Sequence, residues 1–166
     1  FGSRSVCVRA CPWRAHARVM GCSHGCLEFL GRRPAGIAGP GLEVNIPSVL
    51  AEAEREFQRY ERALCANDVA ELDALFLEGE ETLRYGVGEN LYGYEAIKAF
   101  RNGRPPPGDR ELLRTKITTY GHNVAVANCE FRRGAGSRLG RQSQTWLKTP
   151  KGWRVVAAHV SLMDAR

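Results

Sequence analysis

A chain of 166 residues, 43% of them apolar, can bury a core of its own and has room for a single domain with one pocket. No stretch approaches the roughly 18 consecutive apolar residues of a membrane helix, and the start lacks the basic-then-apolar plan of a secretory signal, so the cytoplasm is the expected location. The net charge of +6 suggests a nucleic-acid partner only until it is divided along the chain: residues 1–42 hold six arginines and one acid, whereas residues 43–166 carry 18 basic against 17 acidic side chains. A nearly neutral body has little electrostatic reason to hold a phosphate backbone.

The same division sorts the cysteines. Cys7, Cys11, Cys22 and Cys26 lie in the first segment and only Cys65 and Cys129 in the rest, so the body is not a disulfide scaffold. Two CxxxC pairs beside His16 and His24 have ligand types that suit zinc. The segment around them has no helical or strand period, however, and runs through "GRRPAGIAGPG" without a stable element. Residues 1–43 are therefore expected to be a disordered or spurious extension. The sequence begins without methionine, and "LEVNIP" from Leu42 would be a natural start if that leucine codon served as initiator. The folded domain is expected over residues 44–166.

From Pro47 the pattern changes. Proline suits a first helical turn, and Val49, Leu50, Ala53, Phe57, Tyr60 and Leu64 recur at spacings of three and four, which predicts a helix of about five turns. Asn67 and Asp68 break it, and Asp68 can cap a second short helix in "DVAELDALF". Next come a short strand in "TLRYG", a glycine-rich turn in "GVGENLYG", and a third helix in "YEAIKAFRNG" that ends at Gly103. The run "RPPPGD" forbids regular structure. Four β-rich segments follow, "ELLRTKITTYG", "NVAVANCEFRR", "RLGRQSQTWLKT" and "GWRVVAAHVSLM", separated by short turns that predict antiparallel neighbours.

The order ααβαββββ is an α+β plan in which three helices cover one face of a strongly curved antiparallel sheet. A sheet that curls over its helices leaves a cone, and the pocket belongs between sheet and helices. Alternation puts Arg141, Ser143 and Thr145 on one side of their strand and Gln142, Gln144 and Trp146 on the other, and one of these sets should line the cone. His159 is expected to share an inward face with Val155, Ala157 and Ser161. Within "RYGVGENLYG" the glycines Gly86, Gly88 and Gly93 let the chain bend at the rim, while Glu89 and Asn90 either line the pocket mouth or cap the helix that begins near Tyr94. Cys65 and Cys129 read as buried small apolar residues.

The order of elements resembles the cone-shaped fold named for nuclear transport factor 2, shared with ketosteroid isomerase and SnoaL-like polyketide cyclases. More narrowly, "RYGVGENLYG", "GRQSQTW" and "GWRVVAAHVS" resemble a family of small proteins of oxalurate catabolism. That family includes the decarboxylating amidohydrolase that turns 1,3-dicarboxyurea into allophanate in cyanuric acid breakdown. The likeness covers residues 44–163. It implies a metal-free site with no cofactor, built on a tyrosine of the first helix and an arginine of the first strand, which fall here on Tyr60 in "FQRYERAL" and Arg84 in "TLRYG".

From the residues alone, Tyr60 reads as a phenol on an apolar stripe, needing a partner for its hydroxyl or serving as a plain core residue. Arg84 either points to solvent or meets a carboxylate with its planar fork. With the resemblance, Arg84 is expected to clamp a carboxylate of a small anionic substrate, helped by Arg141, while Tyr60 relays a proton. An adjacent arginine that stabilises phenolate would aid that donation. His159, Glu89 and Asn90 complete the expected substrate-binding set. The competing expectation is a non-catalytic partner of an amidase in the same pathway, since a fold alone never establishes chemistry. A homodimer through the meander strands is expected, and neither nucleic acid nor membrane as partner.

Overall fold

The computed structural model of the chain describes residues 42–134 and 138–164, all within one compact unit, Ala38–Arg166. The expectations placed on residues 1–41, the zinc cluster among them, lie outside the described residues.

The chain enters along an edge of the sheet. Val44 bridges Tyr120, the Asn45 amide donates to the Thr119 carbonyl at 3.0 Å, and the Thr119 amide donates to Asn45 Oδ1 at 2.9 Å. Asn45 sits at φ 57°, a left-handed conformation that asparagine tolerates better than most residues, and it turns the chain into α1, Pro47–Ala66. The stripe of Val49, Ala53, Phe57, Tyr60 and Leu64 is buried as the spacing predicts. Asn67, at φ 52°, closes the helix with its amide on the Leu64 carbonyl. Asp68 then accepts from the Glu71 amide at 3.0 Å and starts α2, Val69–Ala74.

Six strands follow, β1 Leu83–Tyr85, β2 Asn90–Tyr92, β3 Glu111–Tyr120, β4 Val124–Arg132, β5 Leu139–Thr149 and β6 Gly152–Met163, with α3, Tyr94–Gly103, between β2 and β3. The sheet order is β2-β1-β6-β5-β4-β3. The last four strands form the expected antiparallel meander, and β1 joins its end parallel to β6. The expected glycine-rich turn is itself half strand, because "NLY" pairs back on "LRY" as a short hairpin. Of its three glycines only Gly93 has a positive φ, 82°, and it is Gly93 rather than Glu89 or Asn90 that stands at the N-cap of α3.

One irregularity decides which side of β6 faces the helices. Trp146 registers against Val155 but Thr145 against Ala157, so Val156 is an extra residue, a bulge. Val155 and Ala158, three apart, are both buried, and His159 is thrown outward beside Tyr85. A second register shift, between Leu112 and Arg114, bends β3. The core between the sheet and the helices centres on Phe57, Leu72, Leu75, Phe76, Ile97, Trp146, Trp153 and Val155. Each large side chain buried there contributes about 1.5–3 kcal/mol. This buried face, curled over α1, forms the inner wall of the cone.

Candidate functional site

The second half of α1 brings Tyr60 to the inner wall. Its ring is only 6% exposed, edge-on to Trp146 with centroids 6.2 Å apart and tilted against Phe76 at 6.5 Å. Its hydroxyl has no hydrogen-bond partner among the described residues.

Arg84 registers against Ala158, an inward position, so it too faces the helices. It forms an ion pair with Glu89, which folds back from the β1–β2 hairpin, and its guanidinium lies 5.3 Å from the centre of the Phe100 ring. A second guanidinium shares that ring: Arg104 stands 5.7 Å from its centre. Arg104 precedes Pro105, which forces it into extended backbone at φ −99° and ψ 152°, ends α3, and turns its side chain back over the helix. Burial first, and then the like charge of Arg84, hold its pKa below the ordinary arginine value. It has no acidic partner among the described residues, and its Nε is buried without a hydrogen bond. Tyr60 is within electrostatic reach of it. Two arginines over one ring, only one of them paired with a carboxylate, make a locus that favours an added anion.

Deeper in the same end, Arg110 is held by Glu61 through two hydrogen bonds, Nε to Oε2 at 2.8 Å and Nη2 to Oε1. The two side chains are 1% and 8% exposed, and Arg110 also donates to Gln142 Oε1 at 3.2 Å. Burial works against the Arg110 charge, yet the hydrogen bonds and charge of Glu61 leave its pKa above the ordinary value. Arg133 donates to the Pro107 and Gly108 carbonyls, each at 2.6 Å, and so fastens the proline-rich loop. The inner row of β5 is Gln142, Gln144 and Trp146. Gln142 Nε2, both amide atoms of Gln144 and Trp146 Nε1 are buried with no hydrogen-bond partner among the described residues.

Of the expected residues, Tyr60, Arg84 and Glu89 thus lie at the inner wall, with Glu89 turned to Arg84 rather than to a helix cap. Three do not. Arg141 alternates with Gln142 and is exposed on the outer face. His159 is outward because the Val156 bulge reverses the alternation on which its inward facing was predicated. Asn90 registers against Tyr85 on the outer face of the hairpin and is exposed. Arg104 lies outside the expected set, and Gln142 and Gln144 belong to the row of β5 that faces the helices. The sequence signal for Arg104 was an arginine fixed by a following proline. Cys129 is buried as expected, and burial pushes its thiol up to about 11, whereas Cys65, also expected to be buried, is only half-buried near the end of α1.

Two open surface clefts, of about 670 and 530 Å³, lie elsewhere, the first beside Glu54, Arg55 and Thr115 and the second beside Glu78, Tyr92 and Lys98. Neither includes Tyr60, Arg84, Arg104 or Gln144. Among the described residues no group of three or more His, Cys, Asp or Glu side chains is placed to hold a metal ion, and no helix is long and apolar enough to cross a membrane.

A six-stranded curved sheet closed by three helices, with polar groups gathered on its inner wall, is the cone fold of nuclear transport factor 2-like proteins, and solved structures share it. One is a protein of unknown function from Pectobacterium atrosepticum, of the DUF3225 family, 60% identical over 73% of this chain and 95% of that one, with a TM-score of 0.71. Another is a cystatin-like fold protein from Burkholderia xenovorans, 46% identical over 76% and 100%, at 0.73. A nuclear transport factor 2-like superfamily protein from Salmonella enterica is 28% identical over 71% and 93%, at 0.59. No curated protein sequence matches the chain significantly. The sequence pattern of the AtzH-like family matches residues 42–166, and the chain belongs to that family.

Proposed function

We propose that the protein is a small hydrolase that releases carbon dioxide from an N-carboxylated urea or a related ureido acid, as in oxalurate or cyanuric acid catabolism. The observation that supports this reading is a buried tyrosine, its hydroxyl without a protein partner among the described residues, within electrostatic reach of Arg104, which shares the Phe100 ring with Arg84. Arg84 and Arg104 bind a carboxylate of the substrate, which shares the Arg84 guanidinium with Glu89 or displaces it. Tyr60 delivers a proton to the nitrogen of the N-carboxylate. The C–N bond then breaks, its electron pair stays on nitrogen, and carbon dioxide leaves. A water molecule then gives a new proton to the Tyr60 oxygen, and the hydroxide it leaves is taken up by the released carbon dioxide as bicarbonate.

Incubation of the purified protein with a panel of N-carboxylated ureas and oxalurate, with carbon dioxide release followed, tests the reading. At least one member should turn over without an added amidase. Tyr60→Phe and Arg84→Ala should each lower kcat/KM by roughly 100-fold or more, the range typical of a lost general acid, while the circular dichroism spectrum is unchanged. Folded variants with full turnover would remove both residues from the chemistry. Turnover that appears only when an amidase is added would instead favour a supporting role.

A further inference from the structure

Gln144 is the most deeply buried side-chain amide of the inner wall, 1% exposed, and neither end of it has a hydrogen-bond partner among the described residues. An amide orphaned at both ends is unpaired whichever way it is turned, so the observation does not depend on which terminal atom is nitrogen. Leaving such a group buried and unpaired costs about 1–3 kcal/mol. Its neighbour two residues along, Trp146, also has a buried indole N–H without a partner and lies against the ring of Tyr60. Across the sheet, Arg84 registers with Ala158 and Ala158 with Gln144. Arg84 and Gln144 are thus two strands apart, roughly 9–10 Å at the backbone, with the small side chain of Ala158 between them on the sheet.

We infer that Gln144, with the Trp146 indole beside it, reads the ureido function of the ligand. Its Nε2 and Trp146 Nε1 donate to the urea carbonyl and its Oε1 accepts from the adjacent urea N–H, while Arg84 holds the carboxylate at the other end. A carbonyl and an N–H side by side match an amide that offers one donor and one acceptor. A carboxylate could accept from the donor but offers nothing to the acceptor, and a hydrocarbon matches neither. The inference rests on the carboxylate clamp proposed above and adds to it the part of the ligand that confers selectivity.

Two isosteric probes separate these ideas: N-carbamoylglycine, which carries a carboxylate and a ureido group, and 4-methylpentanoate, which has the same shape and carboxylate with a hydrocarbon in place of the urea. Calorimetric titration of the full chain should show N-carbamoylglycine binding roughly tenfold or more tightly than 4-methylpentanoate. Gln144→Met should abolish that preference by weakening only the ureido probe, and it should melt at the same or a higher temperature, because it removes an unpaired polar group from a buried site at similar volume. Gln144→Leu provides a second variant should methionine pack poorly. Arg84→Ala should weaken both probes alike. A Gln144→Met protein that melts lower while keeping its preference would make the glutamine structural and overturn the inference. So would a wild-type protein that binds both probes equally, which leaves the clamp standing. Failure of the wild type to bind either probe would remove the clamp and the inference together.

Discussion

At Gly86 a side chain would occupy the place that Glu89 uses. A Cβ there would stand 1.8 Å from Glu89 Oε1, although the glycine itself has no positive φ. Its function is clearance: Glu89 folds over Gly86 to reach Arg84. Because the obstructing atoms are the ion-paired carboxylate of Glu89, Gly86→Ala should swing Glu89 off Arg84 and leave Arg84 to an incoming carboxylate, at a cost of about 1–3 kcal/mol for the lost charged hydrogen bond. Glu89→Gln should weaken the same pair, at a similar or smaller cost because its amide oxygen can still accept from Arg84. Both variants should bind N-carbamoylglycine several-fold more tightly, and the ligand should restore the lost melting temperature of Glu89→Gln. Weaker binding by both in the same titration would mean that Glu89 orients Arg84 rather than competes for it. The sequence contained the glycine, the arginine and the acid together, but not this division of labour, because a local pattern does not tell a glycine needed for its φ from one needed for its emptiness.

The elements themselves were legible to different depths. Helices α1 and α2 were readable because their signals are local: a proline in the first turn, an apolar stripe, and Asp68 three residues before the amide it caps. The four meander strands were readable from alternation and glycine turns. β2 was not, since three residues among glycines have no period. The facing of His159 was lost for a different reason, because the Val156 bulge is set by what β5 presents opposite it, and alternation counted along one strand cannot register an inserted residue. Gly140 shows the same dependence on a neighbour. A Cβ there would meet the Phe131 ring of β4 at 2.3 Å, and that ring lies under Arg110 at 4.5 Å and Arg133 at 5.6 Å. An aromatic ring laid over a cross-strand glycine covers the gap it leaves and here supports the buried Arg110–Glu61 pair. Gly140→Ala should therefore cost about 1–3 kcal/mol in urea denaturation, the usual range for an overpacked core site, with no loss of the α1 helix in the far-ultraviolet spectrum. A change within a few tenths of a kcal/mol would show that Phe131 repacks freely.

For the whole molecule the question is where the folded domain begins. The family pattern starts at residue 42, and the core and inner-wall residues described above all lie at or beyond Ile46. The three residues between are tied to the sheet edge: the Gly121 amide donates to the Glu43 carbonyl at 2.7 Å, Val44 bridges Tyr120, and Asn45 exchanges two hydrogen bonds with Thr119. We propose that residues 1–41 add nothing to the stability of the cone, since a segment without an apolar period has no face to bury and cannot offset its ordering entropy, about 1–2 kcal/mol per residue for the backbone. A protein starting at Leu42 should melt with the full chain and bind N-carbamoylglycine equally well. One starting at Pro47 should lose about 2–4 kcal/mol, three or four hydrogen bonds at their usual net worth, and melt lower. The rival outcome is specific, because Cys7, Cys11, Cys22, Cys26, His16 and His24 have ligand chemistry suited to zinc, and zinc binding would couple to folding. Stoichiometric zinc in the full chain, lost together with several degrees of melting temperature in the protein that starts at Leu42, would make the first segment part of the folded molecule.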